Sequence, residues 1–364
     1  MSKDKKEEAA PSAKEAKDTN RAARIAAIKA FQEKVHKKLG SDEILIMGNE
    51  RKSHKVDVIS TGSISLDVAL GVGGLPRGRI VEIYGPEASG KTTTTLSIIA
   101  QAQKAGLFCG FVDAEQALDV SYAKKLGVKF DESLLLCQPN SGEQGLQMAT
   151  EMCESGNFDV VIVDSVAALT PQKEIDGEVG DQFMGLQARM MGQALRKLVA
   201  PVKNNNVLLI FINQLRMKIG VMFGSPETTP GGEGLKFYAS VRMRVSKMKG
   251  KEDSLQVKLA NDDGTFRTVD GYKMRVSINK NKLAVLAENV EVPILDNMGI
   301  YLPIDLFSAA KTLEVIENKA GRTHTFGDRV ISTKSEGEAF AEFVKDKKLM
   351  ADVEKAVRAK VLAG

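Results

Sequence analysis

The chain has 364 residues, more than one compact core usually holds, so one large domain with smaller attachments is expected. At 43% hydrophobic and 27% charged, with no tryptophan, it has the texture of a soluble globular protein. The longest wholly apolar run, Val207 to Ile212, is too short to span a bilayer, the first twenty residues lack the apolar stretch of a secretory signal, and a net charge of +4 describes no bulk polycation.

That net charge is unevenly spread. Residues 1–40 carry eleven Lys/Arg against six Asp/Glu, and residues 184–250 carry eleven against two. The second excess fits a polyanion-binding surface, and it also fits a solvated face. Cys109, Cys137 and Cys153 stand far apart, as reduced thiols of a cytoplasmic protein do.

Residues 1–20 lack periodicity and read as disordered. From Arg21 to Leu39, apolar residues at Ile25, Ile28, Phe31, Val35 and Leu39 form one stripe of a helix ended by Gly40. Such a stripe either folds back or docks on a neighbouring subunit. Ile44 to Met47 reads as a short strand of the same arm. From about residue 54 the pattern alternates, as in a parallel sheet covered on both faces. Strands are expected at Ile80–Tyr84, Phe108–Val112, Leu134–Cys137, Val160–Val163 and Val207–Asn213. Helices are expected at Thr92–Ala105, around Val120–Leu126, at Glu143–Glu154 and at Gln187–Lys203. Thereafter Lys236–Lys247, Tyr272–Ile278 and Ala284–Ile294 read as antiparallel strands closing the sheet, with a turn at Asn261–Gly264. The last sixty or so residues suggest a small α/β lobe, ending in a helix that docks through Val353, Val357 and Val361.

Gly85-Pro86-Glu87-Ala88-Ser89-Gly90-Lys91-Thr92 is a full GxxxxGK[ST] match between a strand and a helix, with Thr93 following. Glycines let successive N–H groups turn inward around phosphates, and the positive end of the next helix faces the same anion. In such a loop Lys91 would neutralise the β- and γ-phosphates of a nucleotide, and the Thr92 hydroxyl would ligate Mg²⁺. Asp164, ending its strand, is placed to hold that Mg²⁺ through water, and Glu115, ending the strand from Phe111, to polarise an attacking water. Either acid also suits a helix N-cap.

Further segments fit one pattern: Ile59–Asp67, Gly73–Pro76, Asp113–Glu115, Asp164–Thr170, Met184–Leu186, Phe211–Phe223 and Leu235–Arg242. Together with the phosphate loop they resemble the RecA family of bacterial and phage recombinases over roughly residues 54–301. The resemblance implies a P-loop core with a mostly parallel sheet flanked by helices, a polymerisation arm (1–53), an ATPase and DNA-binding core (54–301) and a lobe (302–364) that captures duplex DNA. It implies a DNA-dependent ATPase that forms helical filaments on single-stranded DNA and exchanges strands with a homologous duplex. Its partners would be both DNA forms, further copies of itself, a repressor and loader proteins.

Roles follow residue by residue. Glu115 would be the general base, and Gln214 would sense the γ-phosphate. Asp119 and Tyr122 would flank the adenine, although Tyr122 also suits an ordinary surface ring. Lys280 and Lys282 would reach the γ-phosphate of the adjoining protomer. Two DNA-binding loops, Gly177–Met184 and about Leu215–Thr229, would present Met184, Met217 and Ile219, with Gly231 and Gly232 nearby. Arg189, Arg196, Arg216, Lys218 and Lys236 would meet phosphates. Core packing is the other reading of Met184, Met217 and Ile219. Glu233 departs from the family's usual Asn, Pro230 from a threonine, Gln116 from a histidine, and Asp296 from a tyrosine beside the adenine. A ring helicase shares such a core, but the arm-then-core order and the Lys280/Lys282 pair favour a recombinase.

Overall fold

The structure, a computed structural model, describes residues 13–39, 56–217, 226–260, 265–285, 289–319 and 322–363. The strand expected at Ile44–Met47, the turn at Asn261–Gly264, and the loop residues Lys218 and Ile219 lie outside them. Two compact units result, Met1–Lys55 and Val56–Gly364.

The first unit contributes α1 (Ala13–Leu39), which begins eight residues before the expected Arg21. Its span is rich in Ala and Lys and free of Gly and Pro, so helix propensity carries it back over residues 13–20 of the segment read as disordered. The predicted stripe is exposed at Ile25, Ile28 and Phe31.

In the second unit, β1 (Val58–Ile59) pairs antiparallel with β2 (Leu75–Pro76) around α2 (Ile64–Ala69). The alternation then runs β3 (Arg79–Gly85), α3 (Lys91–Lys104), β4 (Cys109–Asp113), α4 (Val120–Lys125), β5 (Leu134–Cys137), α5 (Gly142–Ser155) and β6 (Val160–Asp164). A short α6 (Gln172–Ile175), the long α7 (Leu186–Asn204) and β7 (Leu208–Gln214) follow. These strands pair in parallel in the order β3-β7-β6-β4-β5.

Both faces of that sheet are covered, which is why its strands are apolar throughout. Along β7, Leu208, Ile210 and Ile212 join the cluster containing Leu96 and Ile99 of α3. Leu209 and Phe211 join the opposite cluster with Met152 of α5 and Leu195 and Leu198 of α7.

Beyond β7 come the two-residue partners β8 (Arg216–Met217) and β9 (Glu227–Thr228), then α8 (Gly234–Tyr238). β10 (Val241–Lys247) lies parallel to β3 and antiparallel to β12 (Phe266–Asn281). β11 (Ser254–Ala260) pairs with the first half of β12, and β13 (Val290–Leu295) and β14 (Gly299–Ile300) extend the sheet on the other side. The expected strand at Lys236–Lys247 therefore starts only at Val241, because Lys236 to Tyr238 belong to α8. The strand expected from Ala284 begins at Val290.

The last elements are α9 (Leu302–Thr312), a small antiparallel sheet of β15 (Glu317–Lys319), β16 (Thr323–Phe326) and β17 (Arg329–Ser332), then α10 (Glu336–Lys345) and α11 (Lys347–Ala363). They share a cluster of Leu306, Phe307, Phe343, Val353 and Val357, which also takes in Ile64 of α2. Asp305, fully buried, ties the two parts: Ser63 Oγ donates to its Oδ1 at 2.9 Å and the Ile64 N–H to its Oδ2.

Candidate nucleotide and nucleic-acid sites

β3 delivers the chain to the phosphate loop, and the backbone explains its glycines. A side chain on Gly85 would stand 2.0 Å from the Val245 carbonyl oxygen of β10, so no larger residue fits. Gly90 turns the loop into α3 with φ of 97°, a conformation that favours glycine. As N-cap it supplies no side-chain oxygen, which leaves the first N–H groups of α3 and the positive helix end for an anion. Ser89 is buried, and its hydroxyl has no hydrogen-bond partner. Lys91 Nζ curls over the loop and donates to Pro86 O at 2.6 Å and Gly85 O at 3.2 Å. Burial lowers its pKa, opposed by Asp164, Glu115 and Glu87.

The ends of β4, β6 and β7 bring the other chemistry alongside. Thr92 Oγ1 donates to Asp164 Oδ2 at 3.3 Å. The Asp164 carboxyl is pushed up to about 7, first by burial and then by Glu115 and Asp113. Glu115 lies two residues past the end of β4, which closes at Asp113 and not at Glu115 as expected. Its exposed carboxylate accepts from Ser165 Oγ and, at 3.3 Å, from Gln214 Nε2. Neither Asp164 nor Glu115 is a helix N-cap; that place is taken by Asp119, which accepts from the Tyr122 N–H at 2.9 Å. The half-buried Tyr122 has its hydroxyl 2.9 Å from Thr93 Oγ1, so α4 is tied to the first turn of α3.

A polar chain runs from this site through the sheet. Glu82, fully buried on β3, pairs with Arg242 Nε at 2.5 Å and accepts from Asn213 Nδ2 at 3.1 Å. Asn213 also donates to Pro230 O, and its Oδ1 accepts from the Gln214 N–H. Glu82, Asn213 and Ser165 have no place in the phosphate-loop motif. The one sequence signal was Glu82, an acid inside the apolar run from Ile80 to Ile83.

The candidate DNA-binding residues gather along α7 and its neighbours. Met184 is 86% exposed and Met217 62%, so neither is core. Arg189 and Arg196, seven residues apart on α7, are exposed on the side away from Met191, Leu195 and Leu198. Gly231 and Gly232, both with positive φ, press on Val166 and on Ala188 of α7, where a Cβ would come within 2.7 Å of each. Arg216 sits on β8 opposite Thr228, and Glu227 of β9 is gripped by Arg244 of β10 through two hydrogen bonds of 2.9 and 2.6 Å. Lys236 pairs with Glu233 at 2.6 Å, so the carboxylate that departs from the family pattern holds an expected phosphate ligand.

Lys280 and Lys282 are not brought to this chain's own phosphate loop. Lys280 Nζ donates to Lys236 O and Phe237 O, and Lys282 Nζ to Phe237 O, at the carboxyl end of α8. Burial, then Lys282 and Arg242, lowers the Lys280 pKa.

The family model for the RecA N-terminal domain matches residues 26–301. Protein RecA of Methylococcus capsulatus is 48% identical over 93% of this chain and 93% of its own. Protein RecA of Legionella pneumophila is 47% identical over 92% of each. A solved RadB recombinase aligns with 67% of this chain and 98% of its own, at 20% identity and a TM-score of 0.47. No helix among the described residues is long and apolar enough to cross a membrane. With a family model across most of its length and relatives of nearly half identity end to end, the chain belongs to the RecA family, the DNA-dependent ATPases that carry out strand exchange in DNA recombination and repair.

Proposed function

We propose that this chain binds Mg·ATP in the loop Gly85–Thr93, couples its hydrolysis to the loops along α7 and β8–β9, and polymerises as a helical filament on single-stranded DNA. The observation that carries this is the convergence of Lys91, Thr92, Asp164, Glu115 and Gln214 at the carboxyl ends of neighbouring parallel strands. Ligands of open α/β sheets bind at that edge.

The residues fit a divalent cation. Burial leads the rise in the Asp164 pKa, with Glu115 and Asp113 adding to it, so a cation beside Asp164 and Thr92 would favour the ionised carboxylate. Thr92 would ligate Mg²⁺ directly and Asp164 through water; the bound ion neutralises triphosphate oxygens. Lys91 would exchange its two carbonyl partners for the phosphates, and the unpartnered Ser89 hydroxyl faces the same loop. Glu115 would take the proton of the attacking water, held in orientation by Ser165 and Gln214. Gln214 adjoins Asn213, so its position is felt at Pro230 and the exit of the second DNA loop.

Met184 and Met217 would lie against bases, and Arg189, Arg196 and Arg216 against phosphates, with Lys236 released from Glu233. Lys280 and Lys282 would serve the neighbouring protomer's γ-phosphate. The exposed stripe of α1 supports an arm (1–53) that docks on another subunit, beside a core (54–301) and a duplex-capturing lobe (302–364). Repressor cleavage, loader proteins and a cytoplasmic setting complete this reading. Strand exchange between circular single strands and homologous linear duplex tests it: joint molecules should form with Mg·ATP and not without. Exchange that is indifferent to ATP would overturn it.

A further inference from the structure

Around the far side of the phosphate loop the structure assembles aromatic rings differently from what the family pattern implies. Position 296 carries an exposed aspartate, beside the turn into β14. The neighbouring strand supplies a ring instead. Tyr272 and Met274, two residues apart on one face of β12, both reach Gly90: a Cβ there would stand 2.6 Å from Met274 Sδ and 3.6 Å from Tyr272 Oη.

Tyr272 is half-buried, and Lys247 Nζ lies 4.1 Å from its ring centroid. Burial holds its phenol above the usual value, and the charges of Tyr122 and Asp296 add to the effect. The arc closes on the other side: Tyr122 is bonded to Thr93, and Gly299, three residues after Asp296, packs on Leu126 and Thr93. Beyond Asp296 an open cleft of about 590 Å³ runs between β12 and the end of α4, bordered by Lys125, Asp270 and Asn297.

Resting on the nucleotide reading of the phosphate loop, we propose that Tyr272 is the second ring of the base site, packing on the purine from the β12 side while Tyr122 holds the α4 side. A heteroaromatic base presents two flat faces, and a half-buried tyrosine beside the loop offers area at little entropic cost. Lys247 fixes the ring's tilt through a cation–π contact and adds positive potential next to the phosphates. A ring on a strand that is paired on both sides is held more firmly than one on a turn.

The test compares Mg·ATP with inorganic triphosphate, which has no base, by titration calorimetry on the full chain. Tyr272→Ala should weaken ATP binding roughly 10-fold, as loss of one base–aromatic stack does, and leave triphosphate binding unchanged. Tyr272→Phe should restore ATP binding. Because the chain has no tryptophan, Tyr272→Trp adds a single reporter whose emission ATP should quench and triphosphate should not. Lys91→Ala should lose both ligands, and its failure to do so would remove the underlying nucleotide reading instead. Unchanged ATP affinity in Tyr272→Ala, equal weakening of both ligands, or a tryptophan blind to ATP would each overturn the proposal.

Discussion

Asp164 is a buried carboxyl with two further carboxylates, Glu115 and Asp113, near it, and burial first and those neighbours second oppose its ionisation. Its carboxyl is raised to about 7, so between its ordinary value and 7 the folded chain holds a proton that the unfolded chain has lost. Stability of the ligand-free protein is then fully present below the ordinary carboxylate pKa and declines as pH rises towards 7. Asp67, also raised to about 7 by burial, adds a slope of the same sign. Asp164→Asn should therefore flatten part of the slope in denaturant melts between pH 4 and 7. On the proposed Mg²⁺ site, where Asp164 would act ionised, the parent's Mg·ATP affinity should rise across pH 6 to 8, and the variant should lose that dependence. Glu115→Gln should bind ATP normally but turn over about 10²-fold more slowly in a phosphate-release assay, because the water loses its base. Lys91 and Thr92 were legible because a motif fixes their spacing, and Asp164 because it ends an apolar strand. Ser165 and Asn213 were not, since a serine and an asparagine acquire meaning only from which strand ends lie side by side.

Among the elements, the buried Glu82 joins β3, β7 and β10 and reaches the loop exit at Pro230 through Asn213. Removing one partner of a buried pair leaves an uncompensated charge. Glu82→Gln should cost about 3 kcal/mol or more in chemical denaturation, and it should speed hydrogen exchange at the Gln214 N–H, which Asn213 holds. Unaltered exchange there would uncouple Asn213 from Glu82. The parallel strands were readable because cover on both faces makes them apolar without interruption. The helix α8 was not: in Gly234–Tyr238 only Leu235 is buried and Phe237 is 72% exposed, so local pattern resembles a strand and tertiary packing decides. β11 carries in Leu255, Val257 and Leu259 the alternation that marks a strand.

At the scale of the whole molecule, Lys282 donates to Phe237 O, and the partner proposed for it is the γ-phosphate of the neighbouring protomer. Lys282→Ala should turn over poorly, and so should Lys91→Ala. A mixture of the two should regain activity, because some interfaces join an intact loop to an intact lysine. Freely exchanging subunits that show no gain in ATPase over the separate variants would remove the role in trans. The last sixty residues, read from sequence as a lobe, are less separate than that word suggests. Asp305 accepts from Ser63 and Ile64, and Ile64 lies in the lobe's own apolar cluster. Heat should then not melt the lobe ahead of the core: scanning calorimetry should record one endotherm for the two, and Asp305→Ala should split it. On the proposed assignment of duplex capture to residues 302–364, a chain built this way would lose that capture and its ATP-facing core in one step.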